Sequence, residues 1–376
     1  MLTKITKLAL TALLSILFLQ VKGQSELSEN KRASLWRNFE NVTLDSIKGR
    51  AIYEQRLDRN PLYGLLEMRK ALRDSSVIEY LPMFQGVILG QYKLGNTIRF
   101  RSLPDEDRKL QRQRFFQEPK RYKFDFWLQP IFAANFGNRM KPIQSNTSIL
   151  LQTQFHLWQG LVLNAGILFP ITNDLDNRPK IIRPAPFFLN QFYASGKHFF
   201  SASLGYFYND QYGFNFQYRN ADLSLPLSFG FEGSLTGKYN YPRGGIYAGP
   251  IDQLLAIADI SYRLNRPDVT LKLSGGQYLW KDRGVRFEFI RQFTNVEIGL
   301  YAMKTKNGST AGFNFAIPIP PGKIIQGAKA RFRTTDEFRW EYSYTRGFQI
   351  GERYRTGYQL DQKLRQYHVN YLNSQR

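Results

Sequence analysis

The chain carries few groups able to make or break bonds. It has three histidines, His156, His198 and His368, and no cysteine. Thiol nucleophiles, thiolate metal sites and disulfides are thereby excluded. No two histidines have metal-ligand spacing. Neither a Gly-x-Ser-x-Gly elbow nor a Walker-type phosphate loop occurs. The sequence therefore implies no catalytic residue, no metal ligand and no cofactor. One arrangement tests that reading: His156 shares an alternating face with Gln152 and Gln154, which would suit a serine-based lipase or acyltransferase centre and equally suits a histidine in a polar interior.

Charge offers more. Lys272, Arg286, Glu288, Arg339 and Glu341 each stand at every second position of a run whose other positions are apolar or aromatic. Placed on the inner face of a sheet, these five would either pair across neighbouring strands and plug the interior, or form a ladder of weak sites along which an anionic glycan passes. Tyr278, Trp280, Tyr301 and Trp340 lie near strand ends, where tyrosine and tryptophan form interfacial girdles; stacking of sugars on those rings is the alternative.

The elements that must position these residues are strands. Between Val269 and Pro318 four alternating runs are separated by the turn signals LWKDRG, FTN and KTKNGST. Val285, Phe287 and Phe289 share one face, Arg286 and Glu288 the other; later Phe338, Trp340, Tyr342 and Tyr344 alternate with Arg339, Glu341, Ser343 and Thr345. An aromatic face backed by a charged face suits a sheet with lipid outside and water inside. From Tyr122 onward about 14 such runs follow, 12 on a stricter count, and the expected fold is mainly β, an antiparallel transmembrane β-barrel of 12–14 strands. Short turns at Gln159-Gly160, Ser195-Gly196, Asn265 to Asp268, Thr294-Asn295 and Pro318 to Gly322 all fall on one side, and the longer connections on the other.

Residues 1–23 read as a secretory signal peptide: Lys4 and Lys7 precede an apolar run from Leu8 to Val21, with cleavage expected near Gly23. Residues 24–98 read as a small periplasmic α/β module, with a helix over Pro61 to Arg73 and strands around Gln85-Gly86. A charged linker or short helix over 99–121, the barrel over 122–346 and a polar periplasmic tail over 347–376 complete the division. The formal charge of +22, from 52 basic and 30 acidic residues, favours anionic partners; export argues against nucleic acid.

The run GQYLWKDRGVRFEFIRQFTNVEIGLYAMKTKNGSTAGFNFAIP resembles the C-terminal signature of the YjbH-type exopolysaccharide-production outer-membrane proteins. The residues that carry the likeness are Gly276, Tyr278, Leu279, Asp282 and Gly284, then Arg291 and Phe293, then Gly312, Phe313, Ile317 and Pro318. The segments around Phe39 to Val42, Tyr53 to Arg56 and Arg59 to Leu62 are similar to the periplasmic repeat before that family's barrels. Typical members are longer and many begin as lipoproteins, whereas this chain shows one such unit and no cysteine. The resemblance implies a non-enzymatic outer-membrane protein in the secretion or assembly of an extracellular polysaccharide. It would sit among outer-membrane lipid and lipopolysaccharide and handle an anionic polysaccharide. Its partners would be periplasmic or inner-membrane export components. A general diffusion porin is the competing expectation.

Overall fold

In a computed structural model, the described residues are 36–376 except 46, 73–76, 118–121, 137–141, 176–177, 242–244, 344–349, 355 and 357–358. The expected signal peptide lies outside them.

The first unit begins with a hairpin, β1 (Glu40–Asp45) and β2 (Arg50–Glu54), which turns at Gly49 with φ of +60°. Helix α1 (Pro61–Ala71) follows; the Asn60 side chain accepts from the Leu62 N–H, and Pro61 sits where a first turn needs no N–H. This helix crosses over to β3 (Glu79–Phe84), which pairs parallel with β2. The remaining strands are β4 (Val87–Ile88), β5 (Gln91–Leu94) and β6 (Ile98–Arg101), giving the order β1-β2-β3-β5-β6. Leu62, Leu65 and Met68 of α1 bury against Tyr53, Tyr80 and Tyr92. The stretch from residue 99, expected as a charged linker or a short helix, is a helix in its main part: Arg99–Arg101 belong to β6, and helix α2 runs over Asp105–Gln117.

The rest is one 16-stranded sheet. Its first half holds β7 (Phe124–Phe136), β8 (Ile143–Trp158), β9 (Leu161–Asn173), β10 (Arg183–Ser195), β11 (His198–Tyr206), β12 (Gln211–Ala221), β13 (Leu227–Asn240) and β14 (Tyr247–Ala248). The second half holds β15 (Gln253–Leu264), β16 (Val269–Gln277), β17 (Arg283–Gln292), β18 (Glu297–Thr305), β19 (Gly308–Ile317), β20 (Lys323–Gln326), β21 (Ala330–Thr334) and β22 (Phe338–Ser343). From β7 to β19 each long strand pairs antiparallel with the next, and β22 closes onto β19. The sheet exceeds the expected 12–14 strands through short pieces: β14 inside a long connection and the β20–β21 hairpin. The run from Ala328, expected as a spanning strand, is instead the short β21, parallel to the start of β7.

Burial is inverted relative to a soluble sheet. Along β17, Val285, Phe287 and Phe289 are exposed while Arg286, Glu288 and Gln292 are buried. Along β13, Leu227, Phe229, Phe231 and Leu235 are exposed and Glu232, Ser234 and Thr236 buried. Because strand side chains alternate faces, one register decides the whole pattern, and it repeats around the sheet. The curl brings its two flanks together: the Phe132 and Trp340 rings lie 6.2 Å apart and Phe136 and Tyr342 6.3 Å. Among the described residues no backbone ladder joins β22 to β7.

The hairpin turns gather where the first unit docks. Gly160 N–H donates to the Gln85 carbonyl at 2.7 Å. Arg108 donates to the Gly196 carbonyl at 3.3 Å, and Asn60 to the Thr294 carbonyl at 2.8 Å. The α/β unit thus covers one end of the curled sheet.

Candidate functional site

The interior carries the site, and a segment expected as a polar periplasmic tail beside the α/β unit runs through it. At the end far from the α/β unit, the Gly351 N–H donates to Asp282 at 2.9 Å. The chain then passes Asn215, whose amide reaches the Tyr354 hydroxyl at 3.2 Å, and Gln217, which accepts from the Leu360 N–H at 2.8 Å. Helix α3 (Leu360–Gln366) and helix α4 (Val369–Ser374) follow. The segment meets the α/β unit from α3 onward: Leu360 and Leu364 share a cluster with Val87 and Leu89, Tyr92 donates to the Tyr367 carbonyl at 2.7 Å, and Ile98 N–H donates to Asn373 at 2.8 Å. Leu360 and Leu364, four apart on one helical face, pack with Phe192, Phe199 and Leu223. That spacing was present in the sequence and is the signal that marks the segment as packed rather than solvated.

All five charged candidates face this interior, and all five are ion-paired. Lys272 donates to Asp361 of α3 and lies 3.8 Å from Asp259. Arg286 bridges Glu288 at 2.8 Å and Glu341 at 2.9 Å, with its guanidinium 3.7 Å from the Tyr301 ring centroid. Arg339 binds Glu297 at 2.8 Å and Glu337 at 3.2 Å. Burying such charges is tolerable only when each is paired and hydrogen-bonded.

The aromatic candidates divide. Trp340 faces outward among Phe132, Phe313 and Phe315, and Trp280 is exposed on the far turn, its indole donating to Glu352. Tyr278 and Tyr301 are buried with Phe188, Phe207 and Met303, so neither belongs to an outer girdle. The reason is parity: Tyr301 shares a face of β18 with Met303 and Thr305, while Ile298 and Leu300 take the outside.

Sequence reasoning missed a dense cluster. Asp125 on β7 accepts from Arg331 at 2.8 Å and Arg333 at 3.0 Å, both on β21, and Arg56 of the α/β unit approaches to 3.7 Å. Glu40 accepts from Arg56 at 2.5 Å and lies 3.5 Å from Arg331. Burial by itself would raise the Glu40 carboxyl, but the Arg56 and Arg331 charges outweigh it and hold it below the usual carboxylate range. Nearby, burial raises Glu54, whose oxygens accept from the Gln85 and Gly86 N–H groups and the Tyr122 hydroxyl. Asp125 and Arg331 are 206 residues apart in the chain; the parallel β7–β21 pairing brings them together.

The histidines are taken up structurally. His156 stacks on Tyr122 with ring centroids 3.4 Å apart, His198 Nδ1 meets the Tyr218 hydroxyl at 2.9 Å, and His368 caps α4.

Beside the threaded segment remains a cavity of about 1190 Å³. Its floor includes Glu54, Arg56 and Arg59 of the α/β unit, and one wall includes Arg353 and Lys363 of the C-terminal segment. Amide, guanidinium and carboxylate groups line it, a set that hydrogen-bonds hydroxyl-rich ligands.

Residues 189–321 match the family model of YjbH, exopolysaccharide biosynthesis protein YbjH. That span starts within β10 and ends just past β19, inside the sheet with the inverted burial. No curated protein matches the chain. Among solved structures, OmpTΔL8, a loop L8 deletion mutant of the outer-membrane protein OmpT of Vibrio cholerae, is similar at 7% identity with a TM-score of 0.29, covering 60% of this chain and 94% of that one.

Proposed function

We propose, from the exopolysaccharide-family pattern over residues 189–321, that the chain is a non-enzymatic outer-membrane β-barrel taking part in secretion or assembly of an extracellular polysaccharide. The observation that carries the membrane half of this reading is the exposure of Phe229, Phe231, Phe287, Phe289, Leu300 and Phe313 around a sheet whose buried face holds Glu232, Arg286 and Glu288. Water would not favour a ring of large apolar side chains on that scale; hydrocarbon would.

In this reading the threaded segment and the docked α/β unit make the protein a gated or scaffolding component rather than a diffusion pore. Free permeation would require the segment to leave the interior and the unit to leave the end it covers. The α/β unit and the short turns face the periplasm, where export components would meet them, and lipopolysaccharide surrounds the far loops. The interior pairs offer an anionic polysaccharide exchangeable partners.

Deleting the gene and staining surface polysaccharide tests the reading, with the expected result a loss or shortening of the polymer that the intact gene restores. Unchanged polymer, under conditions in which the parent secretes it, refutes the polysaccharide role. Recovery of the protein as a soluble monomer whose gel migration does not change on heating refutes the barrel.

A further inference from the structure

We propose that the seam between β7 and β22 is a lateral opening of the interior cavity, one that admits a glycolipid with its sugar head in the cavity and its hydrocarbon chains in the bilayer. The inference rests on the membrane and polysaccharide reading above and adds to it a ligand class and a route.

The seam is where the backbone ladder stops. β7 pairs with β21 only over Phe124–Leu128, and Thr335 N–H to the Leu128 carbonyl, at 2.9 Å, is the backbone bond at its upper limit. From Pro130 to Phe136, β7 is paired among the described residues on its β8 side alone. β22, six residues long, is paired among the described residues on its β19 side alone. Pro130 fits this arrangement, since proline in a sheet belongs on an edge. What spans the gap is side chains: the ring pairs Phe132–Trp340 and Phe136–Tyr342.

The cavity reaches through that gap. Its lining includes Ala133, Arg339 and Glu341, on the inner face, and also Phe132, Trp340 and Tyr342, on the outer face. In a sealed wall one cavity would touch one face only, because alternate side chains point to opposite sides. Glu341 shows the same opening: its side chain is 45% exposed although it is bound to Arg286, which is 6% exposed.

Two further facts select the ligand. An unpaired strand edge facing hydrocarbon alone is unfavourable, because its N–H and C=O groups have no partner there. Bordering a polar cavity, the same edge can be satisfied by water or by hydroxyl groups. The lining then grades from guanidinium, carboxylate and amide groups inside, through aromatic rings at the slot, to the apolar outer face. That gradient matches a molecule with a hydroxyl-rich head and an alkyl tail.

With no native cysteine in the chain, a cysteine pair engineered across the slot has no competing thiol. The full chain carrying Phe132→Cys and Trp340→Cys is reconstituted in phosphatidylethanolamine/phosphatidylglycerol vesicles, with Phe136→Cys and Tyr342→Cys as a second pair. Two dialkyl disaccharide lipids serve as probes, one with a diazirine in the sugar head and one with a diazirine in the tail; a phosphocholine-headed lipid with a head diazirine is the comparison. The sugar-head probe is expected to label Ala133 and Glu341 in the reduced protein. Labelling should fall at least tenfold on oxidation, return on reduction, and exceed that of the phosphocholine probe in the reduced state. The tail probe should label Phe229 and Phe287 in both states. Interior labelling that ignores the disulfide in both pairs, or equal labelling by both heads, overturns the proposed route or ligand while leaving the barrel standing. Failure of the tail probe to label Phe229 and Phe287 overturns the membrane reading and the seam with it.

Discussion

Lys272, on the inner face of β16, donates to the Asp361 carboxylate in the first turn of α3, so one ion pair ties the wall of the sheet to the segment threaded through it. Their side chains are 7% and 16% exposed. Removing one member of a buried pair leaves the other charge in a medium that penalises it.

Lys272→Met should therefore loosen the threaded segment. Arg365 remains 3.8 Å from Asp361, so the loss should fall below the ~3–5 kcal/mol of an orphaned pair, at about 1–3 kcal/mol. The measurement is amide hydrogen exchange over residues 360–366, where protection should drop while that of β12 and β13 holds. Unchanged exchange in α3 would mean that Leu360 and Leu364 hold the helix without the pair.

Gly160→Ala should undock the α/β unit. Gly160 has φ of +80°, and a Cβ there would stand 2.0 Å from the Phe192 carbonyl oxygen, while its N–H is the donor to Gln85. Backbone cannot yield as a flexible side chain can, so the cost should exceed the ~1–2 kcal/mol of the left-handed conformation alone. Gly196, at φ of +53° with nothing within 4 Å of its Cβ position, supplies the control. Limited proteolysis between the unit and β7 should accelerate in Gly160→Ala and barely change in Gly196→Ala. Equal effects would mean that backbone strain, not docking, dominates.

These contacts mark how far the sequence could be read. Alternation over Val285 to Phe289 and Phe338 to Tyr342 was sufficient to place faces, because a strand repeats every two residues whatever it packs against. The near-end turns were legible for the same local reason: Gln159-Gly160 and Ser195-Gly196 carry turn chemistry within two residues. What stayed hidden was non-local. Nothing near Arg331 announces Asp125, since the two meet only through a parallel pairing across the whole sheet. The C-terminal segment looked polar because its charges, Asp361 and Arg365, have partners on other strands. Tyr278 and Tyr301 were assigned to the outside by residue type, whereas parity with Met303 and Thr305 put Tyr301 inside.

Stability should rise with pH across the range in which His368 titrates. The ring is buried, and desolvation first, then the Arg263 charge, lowers its pKa to about 4 against an ordinary 6.5. Its Nε2 lies 3.0 Å from the Leu225 carbonyl and its Nδ1 accepts from the Asn370 N–H at 3.2 Å. That pair of bonds requires a neutral ring protonated on Nε2. Between pH 4 and 6.5 the unfolded chain binds the proton and the folded one does not, so the stabilisation is complete above about pH 6.5 and is lost as pH falls toward 4. The full effect is on the order of 3 kcal/mol. Protease sensitivity of residues 367–376 should climb as pH falls through this window, and His368→Gln should flatten the dependence. A slope that persists in His368→Gln would assign the titration to another group.

The last test concerns which face meets lipid. Phe287 and Arg286 are neighbours on β17 with opposite burial. An arginine on a lipid-facing position near mid-bilayer costs about 2–4 kcal/mol, falling toward zero at the interfaces. Phe287→Arg should therefore lower the fraction folded into bilayers and the amount recovered in the outer-membrane fraction. In water the same change would replace an exposed apolar ring with a solvated charge and cost little. Folding efficiency in detergent-free vesicles separates the two environments. Efficient folding of Phe287→Arg would exclude hydrocarbon at that surface, because no neighbouring residue on the outer face of β16 or β18, Leu273 or Ala302, can neutralise the new guanidinium.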